Sequence, residues 1–288
     1  MNRFGQAVSL LPVSYGSYVR QFEEEDVEEL RLRLGQPPSL SIRGKERCLT
    51  LPKVQEADLI YVVEKASRAS LYSVRAQLEE GYISYRGLRV GVCGAADLRD
   101  GRVGGFRSYG SVSIRIPGEY RGILDPLESQ FRWENFQNTL ILSPPGGGKT
   151  TALREMLRLM SESGIRMGVV DERNELSASD TEGQAFDLGP RTDVLVHVPK
   201  AQGAMILLRN MTPQVIAMDE ITKPEDVKAV EILAGCGTGI LASAHGTEVQ
   251  ALKRRRLYRE LLDTGIFTRA LIIKNSKGER RYCLEELT

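Results

Sequence analysis

The chain has 288 residues, 41% of them hydrophobic, which is enough for one large domain or two ordinary ones with real cores. Its 39 Lys and Arg against 38 Asp and Glu leave a formal charge of +1, excluding a global field that draws it to nucleic acid or anionic membrane. Cys48, Cys93, Cys236 and Cys283 lie too far apart for a disulfide framework or zinc site and point to a reducing cytoplasm, and no run approaches the roughly 18 apolar residues that span a bilayer.

An acidic, solvated run from Glu23 to Glu29 is followed by Leu30, Leu32 and Leu34 alternating with Arg31 and Arg33, a strand that Gly35, Pro37 and Pro38 end. Asp58 to Leu78 is helical with a break near Ser67 to Ser70, and Tyr82 to Val92 returns to strand with a turn at Gly87. This is a mixed α+β pattern. The stretch from Pro117 to Pro126 has Pro and Gly but no period, and so marks a linker. The expected division is an N-terminal α+β domain over 1–120 and a second domain over 121–288.

In the second part, strands are expected at Thr139 to Leu142, Met167 to Val170, Val194 to Val198, Val215 to Met218 and Ile240 to Ala242. Helical stretches separate them. Leu153, Met156, Leu157 and Met160 recur at i, i+3, i+4 and i+7, as do Ala204, Leu207, Leu208 and Met211. Such alternation predicts an α/β fold with a mostly parallel sheet. Arg269 to Ile273 and Arg281 to Leu284, around a turn at Asn275 to Gly278, predict a closing hairpin.

Between the first of these strands and its helix stand Ser143, Pro144, Pro145, Gly146, Gly147, Gly148, Lys149, Thr150 and Thr151. This is the setting of a phosphate loop (P-loop): glycines turn backbone amides toward a phosphate, and the positive helix end favours the anion. Lys149 would reach the β and γ phosphates, and Thr150 would offer its hydroxyl to Mg²⁺. Ser143 occupies the position where the usual motif has its first glycine. A second element, Val215-Ile-Ala-Met-Asp219-Glu220, is an apolar strand ending in acids. Asp219 would hold Mg²⁺, and Glu220 would orient or deprotonate the attacking water. No Asn-Lys-x-Asp guanine-reading motif occurs, so the expected nucleotide is ATP.

Asp171-Glu172-Arg173-Asn174-Glu175 and Ala242-Ser-Ala-His245-Gly246 also end strands, where ligands of parallel sheets gather. Lys253 to Arg256, with Arg259, is expected to form a solvated face of one helix.

The order of phosphate loop, acidic box, Leu208-Arg209-x-x-x-Pro213 before Asp219-Glu220, and His245 near the Gly235 to Gly239 stretch resembles the type II and type IV secretion ATPases. Within that group, Leu30-Arg-Leu-Arg-Leu-Gly35 with Pro37, Gly87-Leu-Arg-Val-Gly91 and Asp171-Glu-Arg173 are similar to the sporulation stage III AA family. The resemblance implies a RecA-like P-loop ATPase core behind a smaller N-terminal α+β domain. It also implies a ring homo-oligomer, usually a hexamer, with shared nucleotide sites. Carried over, Glu175 and Asp171 would position water or metal and His245 would sense the γ phosphate. The box departs from the usual Glu-Asp-Pro-x-Glu. Arg107 and Arg115, in Phe106-Arg-Ser-Tyr-Gly-Ser-Val-Ser-Ile-Arg-Ile116, stand where that group presents arginines to bound phosphate.

The leading expectation is therefore an Mg-dependent ATPase at the cytoplasmic face of a membrane, held there by membrane proteins of a secretion-like sporulation channel. Two other readings stay open. A RecA-like nucleic-acid translocase would show DNA-stimulated hydrolysis, although the low net charge and single Trp argue against nucleic acid as a partner. A non-hydrolysing, nucleotide-gated assembly protein would bind ATP yet be indifferent to Glu220→Gln.

Overall fold

The computed structural model describes residues 3–23, 25–42, 44–72, 74–99, 101–118, 120–131, 135–179, 186–276 and 279–287. The chain divides into two compact units, Met1–Gly118 and Glu119–Ser179 with Ala185–Thr288.

The first unit opens with α1 (Arg3–Ser9) and α2 (Val13–Val19). It then forms β1 (Val27–Arg33), β2 (Ser39–Ile42), β3 (Lys45–Cys48), α3 (Glu56–Ala66), α4 (Arg75–Glu79), β4 (Tyr82–Tyr85), β5 (Leu88–Arg99) and β6 (Arg102–Arg115). The strands make an antiparallel sheet in the order β3-β2-β1-β6-β5-β4. Leu30 and Leu32 turn inward with Leu40, Val90, Val112 and Ile114, and Leu59, Val62 and Val63 of α3 join the same core. Leu34 differs from expectation: β1 stops at Arg33, and Leu34 is 49% exposed. The strand also starts earlier than the acidic run suggests. Glu29 lies within it, its carboxylate 2.9 Å from Arg31 Nε, so pairing offsets the cost of drawing the charge inward.

The second unit is built from β7 (Thr139–Ser143), α5 (Lys149–Glu162), β8 (Met167–Asp171), β9 (Thr192–Val196), α6 (Lys200–Asn210) and β10 (Val215–Met218). α7 (Pro224–Gly235), β11 (Gly239–His245), α8 (Val249–Leu252), α9 (Arg256–Asp263), β12 (Arg269–Ser276) and β13 (Glu279–Glu286) complete it. The sheet order is β13-β12-β7-β11-β10-β8-β9, parallel from β12 to β9 and antiparallel at β13. The β12–β13 pairing meets the hairpin expectation, but residues 277 and 278 of its turn lie outside the described residues. β9 covers 192–196, two residues earlier than its apolar letters suggest, because Met167 to Asp171 of β8 fix its register.

Strand alternation sorts this core into two faces. Ile141, Val169, Ala217 and Leu241 pack under the Leu153, Met156, Leu157 and Met160 stripe of α5. On the other face, Leu140, Leu142, Ile216, Met218, Ile240 and Ala242 pack with Leu207, Val230, Leu233 and Leu261. Truncating any of these leucines to alanine costs about 2–5 kcal/mol, so the sheet is a stiff platform for whatever sits at its edge. Met211 falls outside the α6 stripe and is 42% exposed. Among the described residues, no helix is long and apolar enough to cross a membrane.

Candidate functional site

Three strands deliver the site. β11 lies between β7 and β10, with His245 in register with Ser143 and Ala242 in register with Met218. The residues that follow the carboxyl ends of these strands therefore converge, at the edge where parallel sheets bind ligands.

From β7 the chain enters the loop at Ser143, which is fully buried and is not among the residues with left-handed backbone. Serine thus serves in place of the first glycine of the usual motif. Its hydroxyl donates to the Pro144 carbonyl at 2.8 Å, and the Gly147 amide donates to the same carbonyl at 3.0 Å. A Cβ on Gly147 would stand 2.6 Å from Ser143 Oγ, so the tight turn admits only glycine. Gly148 turns at φ +100° directly into α5, whose first residue is Lys149. Amides and helix dipole thus face the same way, an anion-binding arrangement.

Lys149 is 5% exposed. Its ammonium stands 3.0 Å from His245 Nδ1 and 3.4 Å from Glu220 Oε1, and His245 Nε2 is 2.7 Å from the same Glu220 oxygen. An ammonium can only donate, so Nδ1 accepts and Nε2 carries the proton that faces Glu220. One residue on from Lys149, the Thr150 hydroxyl donates to Asp219 Oδ2 at 3.1 Å. Glu220 holds a left-handed backbone at φ +44°, a conformation that costs a non-glycine residue about 1–3 kcal/mol and is found at working sites.

Ser243, which the sequence reading did not single out, explains how that conformation is held. Its hydroxyl donates to Asp219 Oδ1 and accepts the Glu220 amide at 3.0 Å, and its carbonyl accepts the Ile221 amide at 3.0 Å. The signal was present: Ser243 and His245 are i and i+2 on β11 and share a face. Past Glu220, the Asp226 carboxylate accepts the Thr222 and Lys223 amides, each at 3.0 Å, at the Pro-led start of α7. Burial pushes the Asp219 carboxyl above its ordinary value, and the charges of Glu220 and Glu175 add to the rise, against the Ser243 hydrogen bond and Lys149.

The acidic box divides its labour. Asp171 is buried, and its two oxygens accept the amides of Glu175, Leu176 and Ser177 at 2.8–3.1 Å and the Ser177 hydroxyl at 2.9 Å. That use turns the carboxylate toward folding the loop more than toward the expected role at water or metal: Oδ2 accepts three hydrogen bonds and Oδ1 one. Glu172 pairs with the buried Lys200 and lies 3.6 Å from Lys223. Burial raises its carboxyl, but the two lysines outweigh burial and hold it below the usual range. Glu175 lines a small cavity of about 30 Å³ with Asp219 and Glu220.

Other expected features lie elsewhere. Arg107 and Arg115 are exposed on β6 of the first unit, with Arg115 Nε 3.9 Å from Glu29. The Gly235 to Gly239 stretch ends at the first residue of β11, so about 20 Å of strand separates it from His245. The basic run does not occupy one helix: it spans the break between α8 and α9, where Arg255 Nη1 donates to the His245 carbonyl at 3.0 Å.

Among the described residues, no group of three or more His, Cys, Asp or Glu could hold a metal alone. Thr150 and Asp219 instead pair one hydroxyl with one carboxylate, which suits Mg²⁺, an ion that takes most of its ligands from phosphate and water.

The comparisons agree with this frame. Residues 16–282 match the family described as Sporulation stage III, protein AA. The "Stage III sporulation protein AA" of Bacillus subtilis (strain 168) is 33% identical over 282 residues, covering 95% of this chain and 92% of that protein. The X-ray structure of the Legionella pneumophila ATPase DotB superposes with a TM-score of 0.62 at 16% identity, over 96% of this chain and 80% of that one. The pilus retraction motor PilT, solved with bound ADP, gives 0.63 at 16% identity over 94% and 82%. At such identities the likeness is one of fold, and it bears out the expected RecA-like P-loop core with an N-terminal domain. Matched along most of its length, the chain belongs to the stage III sporulation protein AA family and has the fold of the secretion ATPases.

Proposed function

We propose that this chain is an Mg-dependent ATPase whose turnover energises a secretion-like channel complex during sporulation. The observation that carries the reading is the meeting of Lys149 with Glu220 and His245, beside Thr150 and Asp219, at the mouth of an anion-binding loop. The loop amides from Gly146 to Thr151 bind the phosphates, and Lys149 leaves its protein partners for the β and γ oxygens. Thr150 and Asp219 are the residues that would hold Mg²⁺, which would supply positive charge to the phosphates. Glu220 takes a proton from water as oxygen bonds to the γ phosphorus and the bond to the β–γ bridging oxygen breaks. His245 touches both Lys149 and Glu220, which suits it to sense the γ phosphate. Glu175, across the small cavity, positions water or metal.

The N-terminal domain, to about residue 120, supplies Arg107 and Arg115 to a neighbour's phosphates in a homo-oligomeric ring, a hexamer in this reading. An arginine so placed is worth about 10³–10⁵ in rate, so isolated subunits turn over slowly. Membrane proteins of the channel recruit the ring to the cytoplasmic face. ATP hydrolysis per subunit, measured with Mg²⁺ across a wide protein concentration range beside Lys149→Ala, tests this. A rate that climbs with concentration and vanishes in the variant supports a ring ATPase. A flat rate no higher than the variant's refutes autonomous hydrolysis and favours a nucleotide-gated assembly protein.

A further inference from the structure

The β12–β13 hairpin outruns the strand it flanks. β12 is in register with β7 from Arg269 opposite Thr139 to Ile272 opposite Leu142, and then continues to Ser276, with Asn275 opposite Arg280 on β13. The extra length carries the hairpin alongside the phosphate loop. There the Arg280 side chain lies over Gly148: a Cβ built on that glycine would stand 3.3 Å from Nε, 3.4 Å from Cζ and 3.5 Å from Cδ. Glycine at 148 therefore both allows the left-handed turn at φ +100° and leaves room for an arginine.

Arg280 is exposed, and among the described residues its guanidinium makes no hydrogen bond or ion pair. Exposed Lys274 and Arg281, paired across the two strands one register position away, lie on the opposite face of the hairpin from Arg280, which makes Arg281 a local control for charge alone. A cation held against a loop that already presents Lys149 and helix-end amides is favoured when an anion lies between them. A guanidinium is a planar fork that matches two phosphate oxygens at once, which an ammonium cannot do.

We propose that Arg280 is a phosphate-contacting residue, closing the loop from the hairpin side and binding the diphosphate of a nucleotide held by the same chain's Lys149. This rests on the nucleotide-binding reading above. It differs from the roles proposed for Arg107 and Arg115, which act on a neighbour.

Calorimetric titration of the full chain with Mg-ADP and with Mg-pyrophosphate tests it, using wild type, Arg280→Ala, Arg280→Lys and the neighbouring Arg281→Ala. Arg280→Ala should weaken both ligands by about tenfold or more, the value of a charge-assisted hydrogen bond, and Arg281→Ala should change little. Arg280→Lys should recover only part of the loss, and full recovery would overturn the bidentate contact. Unchanged binding by Arg280→Ala, a loss confined to ADP, or an equal loss in Arg281→Ala would overturn the proposal. Wild type that binds neither ligand would instead refute the nucleotide reading, and the role of Arg280 with it.

Discussion

Ser243 and Asp219 are joined by a hydrogen bond from hydroxyl to carboxylate, and the same hydroxyl accepts the amide of Glu220 at 3.0 Å. One side chain thus sets both acids that follow β10. Ser243→Ala fits the space but removes the hydroxyl. The prediction is a folded protein whose turnover falls about tenfold or more, one charge-assisted hydrogen bond lost, with a raised Mg²⁺ requirement. Steady-state hydrolysis against Mg²⁺ concentration checks this, and a wild-type magnesium curve would refute the coupling.

Lys149→Ala and Glu220→Gln should separate binding from chemistry. The first removes the buried ammonium and should lose ATP binding, whereas the second keeps shape and hydrogen-bonding capacity but not basicity. Turnover of Glu220→Gln should fall by about 10²–10⁴, the usual contribution of a general base, with ATP still bound. Fluorescent-nucleotide binding beside single-turnover hydrolysis distinguishes the two, and equal binding by Lys149→Ala would sink the loop assignment.

Asp219 makes stability depend on pH. Burial raises its carboxyl above the ordinary value of 3.8, so its stabilising contribution is complete below that pH and is lost as pH rises through the folded value. Asp219→Asn removes the charge and keeps an acceptor for one of the two hydroxyls, Thr150 or Ser243, while presenting an amide NH2 to the other. It should therefore melt higher than wild type at neutral pH in chelator without nucleotide, with the gap closing as pH falls toward 3.8. A variant that melts lower at neutral pH would show that the charge stabilises the fold.

Asp171→Ala should act on folding. Three amides would lose their acceptor, at about 1–3 kcal/mol for each group left unsatisfied, whereas the Ser177 hydroxyl keeps Asn174 Oδ1 at 3.0 Å. Chemical denaturation should show a loss of several times the typical surface substitution, about 0.5 kcal/mol. A loss of activity without a loss of stability would restore the role toward water or metal.

If Arg107 and Arg115 serve a neighbouring subunit, two inactive proteins should complement each other. Arg107→Ala/Arg115→Ala mixed with Glu220→Gln should regain hydrolysis, because some interfaces would join intact arginines to an intact Glu220. Titrating one protein into the other at fixed total concentration measures this. No recovery under conditions where wild-type subunits exchange would rule out sites shared through those arginines.

Much of the second unit was legible because its signals are local. The loop residues 143–151 lie between an apolar run and a helix period, and the acids of β10 follow four apolar residues. What escaped depends on contacts distant in sequence. Arg280 reaches Gly148 across 132 positions through a strand register that no local pattern encodes. The role of Ser243 depends on Asp219 and Glu220 at the end of β10, more than twenty positions earlier in the chain. Asp171 carries the same letters whether a carboxylate binds metal or folds its own loop, and only the directions of the nearby amides decide. Leu34 and the basic run mark the limits of period reading, since neither a strand end nor a helix break follows from hydropathy.

The place of β11 between β7 and β10 also orders events in the life of the chain. During synthesis the phosphate loop and both acids are made before residue 239, yet the strand that brings Ser243 and His245 to them, and fills the gap between their strands, is not. A ribosome-bound chain that ends between residues 220 and 245 therefore carries every residue of the loop and the acid strand but no complete site. On the proposed function, competence to use nucleotide would begin only once that strand is inserted, so a nascent chain would not spend ATP before its core has closed.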